Sequence, residues 1–233
     1  MPNALPDLTD VLAAHPYPGR GVLRCRTADG ASLAGYFLTG RSPASRARAL
    51  RSTPDGALTV VPTDVRAHDD LRHYQAVRRA AGLVVYGNGE QVAAVADRLA
   101  AGLSPAEALD GLDYEPDPPI FTPRLTVVAD PREDGPTWCG AARHSAAARS
   151  GTDRLQLRLP ALLPGEGVLL TTYQGALAAP ATGAPYLEAA TPYADAAHLL
   201  DALWSALPPG LRVAAAVFAP AAFPEVLLRH ATD

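Results

Sequence analysis

Extended segments come in two runs along this chain, and each run is closed by helical segments. Gly21–Thr27, Leu33–Thr39, Leu58–Pro62 and Leu83–Tyr86 make the first run, each bounded by Gly, Asp or Pro. Asp29-Gly30 between the first two predicts a tight hairpin, because both residues tolerate the left-handed backbone that such turns need. Val92, Val95, Ala96, Leu99 and Leu103 then recur at helical spacing, with Asp97 and Arg98 on the wet side. Ser104-Pro105-Ala106-Glu107 supplies an N-cap, a proline at the first helical position and a returning glutamate, so a second short helix should start there. Strands resume at Arg124–Ala129, Trp138–Arg143, Leu155–Leu159 and Val168–Tyr173. Thr191-Pro192 opens a predicted helix through Leu207, with Ala197, Leu200, Leu203 and Leu207 on its buried side; Leu211–Phe218 reads as a buried strand and Pro220–His230 as a last helix. This order predicts an α+β fold, with two stacked sheets and helices outside, rather than an alternating βαβ sheet.

The chain's 233 residues, 48% of them hydrophobic, suffice for one sizeable core, and neither a repeat nor a linker-like run divides them. A net charge of −4 argues against a general nucleic-acid surface, which would leave a basic footprint. All 20 basic residues are arginine. Without lysine, Schiff-base catalysis and a lysine-dependent phosphate loop are excluded. Cys25 and Cys139 are too few for a disulfide framework or a thiolate metal site, so a reduced, cytoplasmic chain is expected. Met1–Asp7 lacks the basic start and apolar run of a signal peptide, and apolar stretches such as Leu211 to Ala222 are too short for a bilayer, so no membrane partner is expected.

The chemistry-bearing positions cluster at the ends of these segments. The second strand runs into Gly40-Arg41-Ser42-Pro43-Ala44-Ser45-Arg46, a turn rich in guanidinium and hydroxyl donors of the kind that hold an anion. Tyr17-Pro18-Gly19-Arg20 leads into the first strand, and Gly87-Asn88-Gly89-Glu90 joins a strand to a helix whose backbone N–H groups could face a ligand. Asp113-Tyr114-Glu115-Pro116-Asp117 concentrates carboxylates ahead of Thr122-Pro123-Arg124, where Arg124 has a plain alternative as the ion-pair partner of Asp113 or Asp117. His68-Asp69-Asp70-Leu71-Arg72-His73 invites a metal reading, but the two histidines do not share a helix face and the ligand count falls short. His144, Ser145 and Asp153 match no nucleophile elbow, and Cys139 reads as a packed core thiol. Tyr74, with Leu71 and Val77 at threefold spacing, also fits a buried helix face.

Tyr-x-Gly-Arg at Tyr17, Arg-Ser-x-x-x-Arg at Arg41, the tyrosine at 74, Asn88-Gly89, Leu112-Asp113-Tyr114-Glu115 and Thr122-Pro123-Arg124 occur in an order that resembles the archaeal-type IMP cyclohydrolases and their bacterial relatives. The resemblance runs from Tyr17 to about Tyr173 and thins towards the C-terminus. It implies a four-layer αββα sandwich like that of the N-terminal nucleophile hydrolases, without the terminal nucleophile, in keeping with Met1-Pro2. The segment over 1–16 departs from the shorter archaeal start and, with Leu8, Val11 and Leu12 at helical spacing, is expected to pack as an added helix ahead of a single domain over 17–233. The implied reaction is closure of 5-formamidoimidazole-4-carboxamide ribonucleotide to IMP with loss of water, without cofactor or metal.

On that reaction's needs, Glu115 is the expected proton-transfer group, Tyr74 the hydroxyl near the formyl oxygen, and Arg41 the group that stabilises the oxyanion or orients the carboxamide. Arg20, Ser42 and Arg46 are expected at the phosphate, and Asn88, Gly89 and Arg124 at the base or ribose. A purine nucleotide or its formamidoimidazole precursor is the expected partner, and a homo-oligomer follows from the resemblance alone. Two other readings stay open: a related cyclase or amide hydrolase acting on a modified nucleotide of a nucleoside natural-product route, and a nucleotide-binding protein without catalysis.

Overall fold

The computed structural model describes residues 4–64, 73–145, 147, 151–178, 180–181 and 183–231. It has a mixed α+β fold with two antiparallel sheets. One sheet is built from β1 (Arg20–Arg26), β2 (Ser32–Thr39), β10 (Glu166–Thr171), β11 (Tyr186–Ala190), β12 (Arg212–Phe218) and β13 (Leu227–His230), in the spatial order β11-β10-β1-β2-β12-β13. The other places β3 (Arg48–Ser52), β4 (Leu58–Pro62), β5 (Tyr74–Ala80), β6 (Leu83–Gly87), β7 (Arg124–Ala129), β8 (Thr137–His144) and β9 (Thr152–Leu159) side by side in chain order. Five α-helices lie among the described residues: α1 (Leu8–Ala13), α2 (Pro43–Arg46), α3 (Gln91–Ala100), α4 (Pro105–Leu109) and α5 (Ala196–Ala206).

Strand alternation explains how the sheets pack. Side chains two apart share a face. In β2, Ala34, Tyr36 and Leu38 join a core shared with Leu50, Val60, Val84 and Leu125 of the other sheet, while Leu33 and Phe37 turn outward. The outward set meets Leu8 and Leu12 of α1 and Leu199 and Leu203 of α5. On the far side, Val92, Val95 and Leu99 of α3 and Leu109 of α4 cover Val85 and Val128. Because β2 and β12 are covered on both faces, they read as nearly unbroken apolar runs.

The hairpin at Asp29-Gly30 forms as expected, with Gly30 at φ +96° and its N–H bonded to the Thr27 carbonyl at 2.9 Å. The α5 helix starts later than Thr191, because Asp195 is the residue whose carboxylate accepts the His198 N–H, at 2.8 Å. The last predicted helix is wrong. Leu227–His230 is strand β13, antiparallel to β12 with Ala214 opposite His230. Arg79 donates to the carbonyls of Pro220, Ala221 and Phe223 at 2.8–2.9 Å, holding that stretch as turns, and Pro224 lacks the N–H a helix would use. Strands β3, β5 and β11 were not expected either; Tyr74 opens β5 rather than sitting on a helix.

Antiparallel pairing gathers strand ends. Arg20 pairs with Leu38, Thr171 with Gly21, Arg48 with Pro62, Tyr74 with Val60, and Arg124 with Ala142. One end of the two-sheet stack therefore collects the starts of β1, β3, β5 and β7 with the ends of β2, β4, β6 and β10. Further into the stack Arg24, on the same face as Arg20 and Val22, is buried and donates to the Leu33 carbonyl at 3.0 Å and to Thr137 Oγ1 of the facing sheet at 3.2 Å.

The leading helix is part of the core. Leu12 is fully buried against α5, so Leu12→Ala is expected to destabilise the protein by about 2–5 kcal/mol. Urea denaturation measures this, and a change near zero would mean that α1 is not docked.

Candidate functional site

Two-residue alternation sorts the arginines at the gathered strand ends. Arg20 is in phase with Val22, and Arg48 with Leu50, so both project between the sheets. Arg124 precedes the inward Leu125 and so points the other way, where it pairs with Glu90 at 2.5 Å beside the start of α3. Its partner is thus neither Asp113 nor Asp117.

At the centre of the site lies the Arg20–Glu115 pair. The guanidinium Nη1 meets Glu115 Oε1 at 2.8 Å and Nη2 donates to Oε2 at 2.9 Å, a two-pronged contact with both side chains under 10% exposed. Arg20 Nη1 also donates to the Asn88 carbonyl at 2.6 Å, and its backbone N–H to Thr172 Oγ1 at 3.0 Å. Burial raises the Glu115 carboxyl above its ordinary range, and the Arg20 charge opposes that rise. Gly89 makes room for this carboxylate, since a Cβ there would stand 2.6 Å from Gln91 Oε1 and 3.2 Å from Glu115 Oε1.

The pair forms part of the wall of a cavity of about 280 Å³, with Arg41, Ser42, Arg48 and Asp117 also on its wall. The loop from Glu115 to Thr122 is closed by the Glu115 N–H on the Thr122 carbonyl at 2.9 Å, while Asp117 accepts from the Thr122 N–H and hydroxyl, both at 2.6 Å. Tyr17 and Tyr173 stack with ring centroids 5.4 Å apart, and Tyr173 shares a 2.6 Å hydrogen bond with Thr122. Gly19 permits that wall: its φ is +71°, and a Cβ would fall 2.1 Å from Thr172 Oγ1 and 2.5 Å from the Tyr173 ring.

Of the residues singled out from sequence, Arg20, Arg41, Ser42 and Glu115 meet at this cavity. The Ser42 hydroxyl caps α2, accepting from the Ser45 N–H at 3.1 Å. Tyr74 lies in the adjoining core, its hydroxyl 2.7 Å from that of Tyr36 and both rings buried. The Asn88 side chain is committed to backbone: Nδ2 donates to the Pro123 carbonyl at 2.8 Å and Oδ1 accepts from the Leu125 N–H at 2.6 Å. Arg46 lines a separate cavity of about 440 Å³ beside Arg51 and His230. His68, Asp69 and Asp70 fall outside the described residues; among those described, no three His, Cys, Asp or Glu side chains gather as a metal site. His144 stacks on Phe121 at 5.0 Å, and Asp153 lies 3.7 Å from Arg143.

Arg48 and Tyr36 are not singled out by the sequence, and Asp117 stands out there only as one of a run of carboxylates. Arg48 carried a usable signal, the inward phase it shares with Leu50, but Arg48–Ser52 mixes arginine into a short strand and does not read as one.

A family model described as IMP cyclohydrolase-like protein matches residues 17–219. The chain is 32% identical over 164 residues to the IMP cyclohydrolase of Methanopyrus kandleri, across 67% of this chain and 75% of that protein. It is 37% identical over 123 residues to the IMP cyclohydrolase of Halobacterium salinarum, across 50% of this chain and 60% of that protein.

Removing one member of the buried pair strands the other's charge. Arg20→Met or Glu115→Gln alone is expected to destabilise by about 3–5 kcal/mol, and the double variant by clearly less than the sum. Equilibrium denaturation of all four proteins measures the coupling, and strict additivity would show that the two groups do not interact.

Proposed function

The chain belongs to the IMP cyclohydrolase-like family, and we propose that it closes 5-formamidoimidazole-4-carboxamide ribonucleotide to IMP with loss of water. The observation that carries this reading is the convergence of Arg20, Arg41 and Glu115, from three separate chain segments, on one cavity.

Ring closure joins two groups of one molecule, so folding the substrate into a reactive pose supplies much of the acceleration. The carboxamide nitrogen attacks the formyl carbon, and one of its two protons reaches the former carbonyl oxygen to give a hydroxyl; the C–O bond then breaks as the formylamino nitrogen gives up its proton, releasing water and leaving the ring C=N bond. In our reading Glu115 takes the nitrogen's proton and later returns it to the departing oxygen. Burial makes this carboxylate more basic than an exposed one, and Arg20 keeps it oriented. Arg41 stabilises the developing oxyanion, and Tyr74, held by Tyr36, donates towards the same oxygen. Asn88 acts through its carbonyl on Arg20, Gly89 through the space it leaves Glu115, and Arg124 through the start of α3.

The same reading carries the finer fold assignment: a four-layer αββα sandwich like that of the N-terminal nucleophile hydrolases, supported by helices packed on the outer faces of both sheets. A helical extension over 1–16 on a single domain over 17–233, a cytoplasmic location and homo-oligomeric assembly complete it.

Purine absorbance on adding the formamidoimidazole precursor tests the activity, and a protein that binds this nucleotide without turnover would overturn it. Glu115→Gln is expected to lower kcat by about 100-fold or more. A base must be ionised, so kcat/KM should fall as pH drops through the Glu115 pKa, which burial sets above the ordinary glutamate range. That acid limb should vanish in Glu115→Gln, and a limb unchanged in the variant would remove Glu115 from this role.

A further inference from the structure

Three guanidinium groups face the cavity, and they differ in what answers their charge. Arg20 is matched by Glu115. Arg41 is half-buried on the wall. Arg48 is buried, and no carboxylate among the described residues pairs with it. Its Nε donates to the Ser45 carbonyl at 2.7 Å and its Nη2 to the Thr39 carbonyl at 3.2 Å. Those carbonyls fix its direction but bring no formal negative charge. Its Nη1 has no protein acceptor among the described residues, and Arg48 stands on the wall between this cavity and the neighbouring one, lining both. Asp117, the other carboxylate on the wall, is turned to Thr122. Burial depresses the Arg48 pKa, the mark of a cation held where charge is unwelcome.

A buried guanidinium without a counter-ion is unfavourable unless an anion arrives to meet it. Of the other donors of the same turn, Ser42 is engaged as the cap of α2, and Arg46 lines only the neighbouring cavity. We propose that Arg48 receives the phosphate of the substrate through Nη1, the donor that no described residue engages. A monophosphate matches a planar guanidinium that presents N–H groups in a fixed fork. The proposal rests on the nucleotide reading above for the identity of the anion. It also separates two jobs on the wall, because Arg20 serves the carboxylate and Arg48 the ligand's charge.

Ribose 5-phosphate and ribose are suitable probes, since neither requires turnover. Calorimetric titration should show the parent protein binding ribose 5-phosphate and not ribose. Arg48→Met should retain the fold, with a thermal midpoint at or above the parent's, and bind ribose 5-phosphate at least about 100-fold more weakly, as loss of a charge-assisted contact to a dianion implies. Arg48→Lys keeps the charge without the fork and should fall between them; it serves as the test if the Met variant does not fold. Undiminished binding of ribose 5-phosphate by Arg48→Met would overturn the proposal and leave ring closure standing. A parent that binds IMP but ignores ribose 5-phosphate would overturn it too. Arg48-dependent binding in a protein that fails to close the ring would instead sink the proposed function and support this inference.

Discussion

Two charges in the stack between the sheets must neutralise each other for the site to exist. Arg20 enters from the first residue of β1 and Glu115 from the loop after α4, and their double contact joins segments 95 positions apart in the chain. Each charge alone would meet the full penalty of leaving water; together they exchange it for two short charge-assisted hydrogen bonds. The surrounding features follow from this requirement. Asn88 offers its carbonyl to Arg20, Gly89 leaves space beside the carboxylate, and the Glu115–Thr122 loop is tied to itself and to Tyr173.

The cavity also illustrates how strand phase sorts residues of one type. Arg20, Arg48 and Arg124 each stand at the first position of a strand and at the same end of the stack. Arg20 and Arg48 share the phase of inward neighbours, whereas Arg124 has the opposite phase and leaves the site for Glu90. A displacement of one residue along any of these strands would exchange inside for outside.

Much of this was legible in the sequence. The Asp29-Gly30 hairpin, the capping box at Ser104, the stripe of α3 and most strands have strong local signals, and the ordered motifs picked out Arg20, Arg41 and Glu115. What was not legible depends on partners distant in the chain. Leu227–His230 is a strand because β12 offers an edge and Arg79 gathers the preceding carbonyls, neither of which is local information. Arg48 shares the inward phase of Leu50, but its lack of a carboxylate partner among the described residues is a property of the packed structure and not of its neighbours in the chain. Asn88 and Ser42 have the donors a ligand would want, yet backbone claims both, Asn88 through Pro123 and Leu125 far along the chain and Ser42 through its own turn.

β2 is hydrogen-bonded to β1 on one side and β12 on the other, and its alternate side chains belong to two different cores. Amide protons at Tyr36–Leu38 should therefore exchange with solvent only when the whole molecule opens. Immediately downstream, Ser42–Arg46 is a single exposed turn held mainly by its own cap. Slow and fast exchange thus abut within five residues, giving the cavity a stiff back and a compliant lip from one continuous stretch of chain.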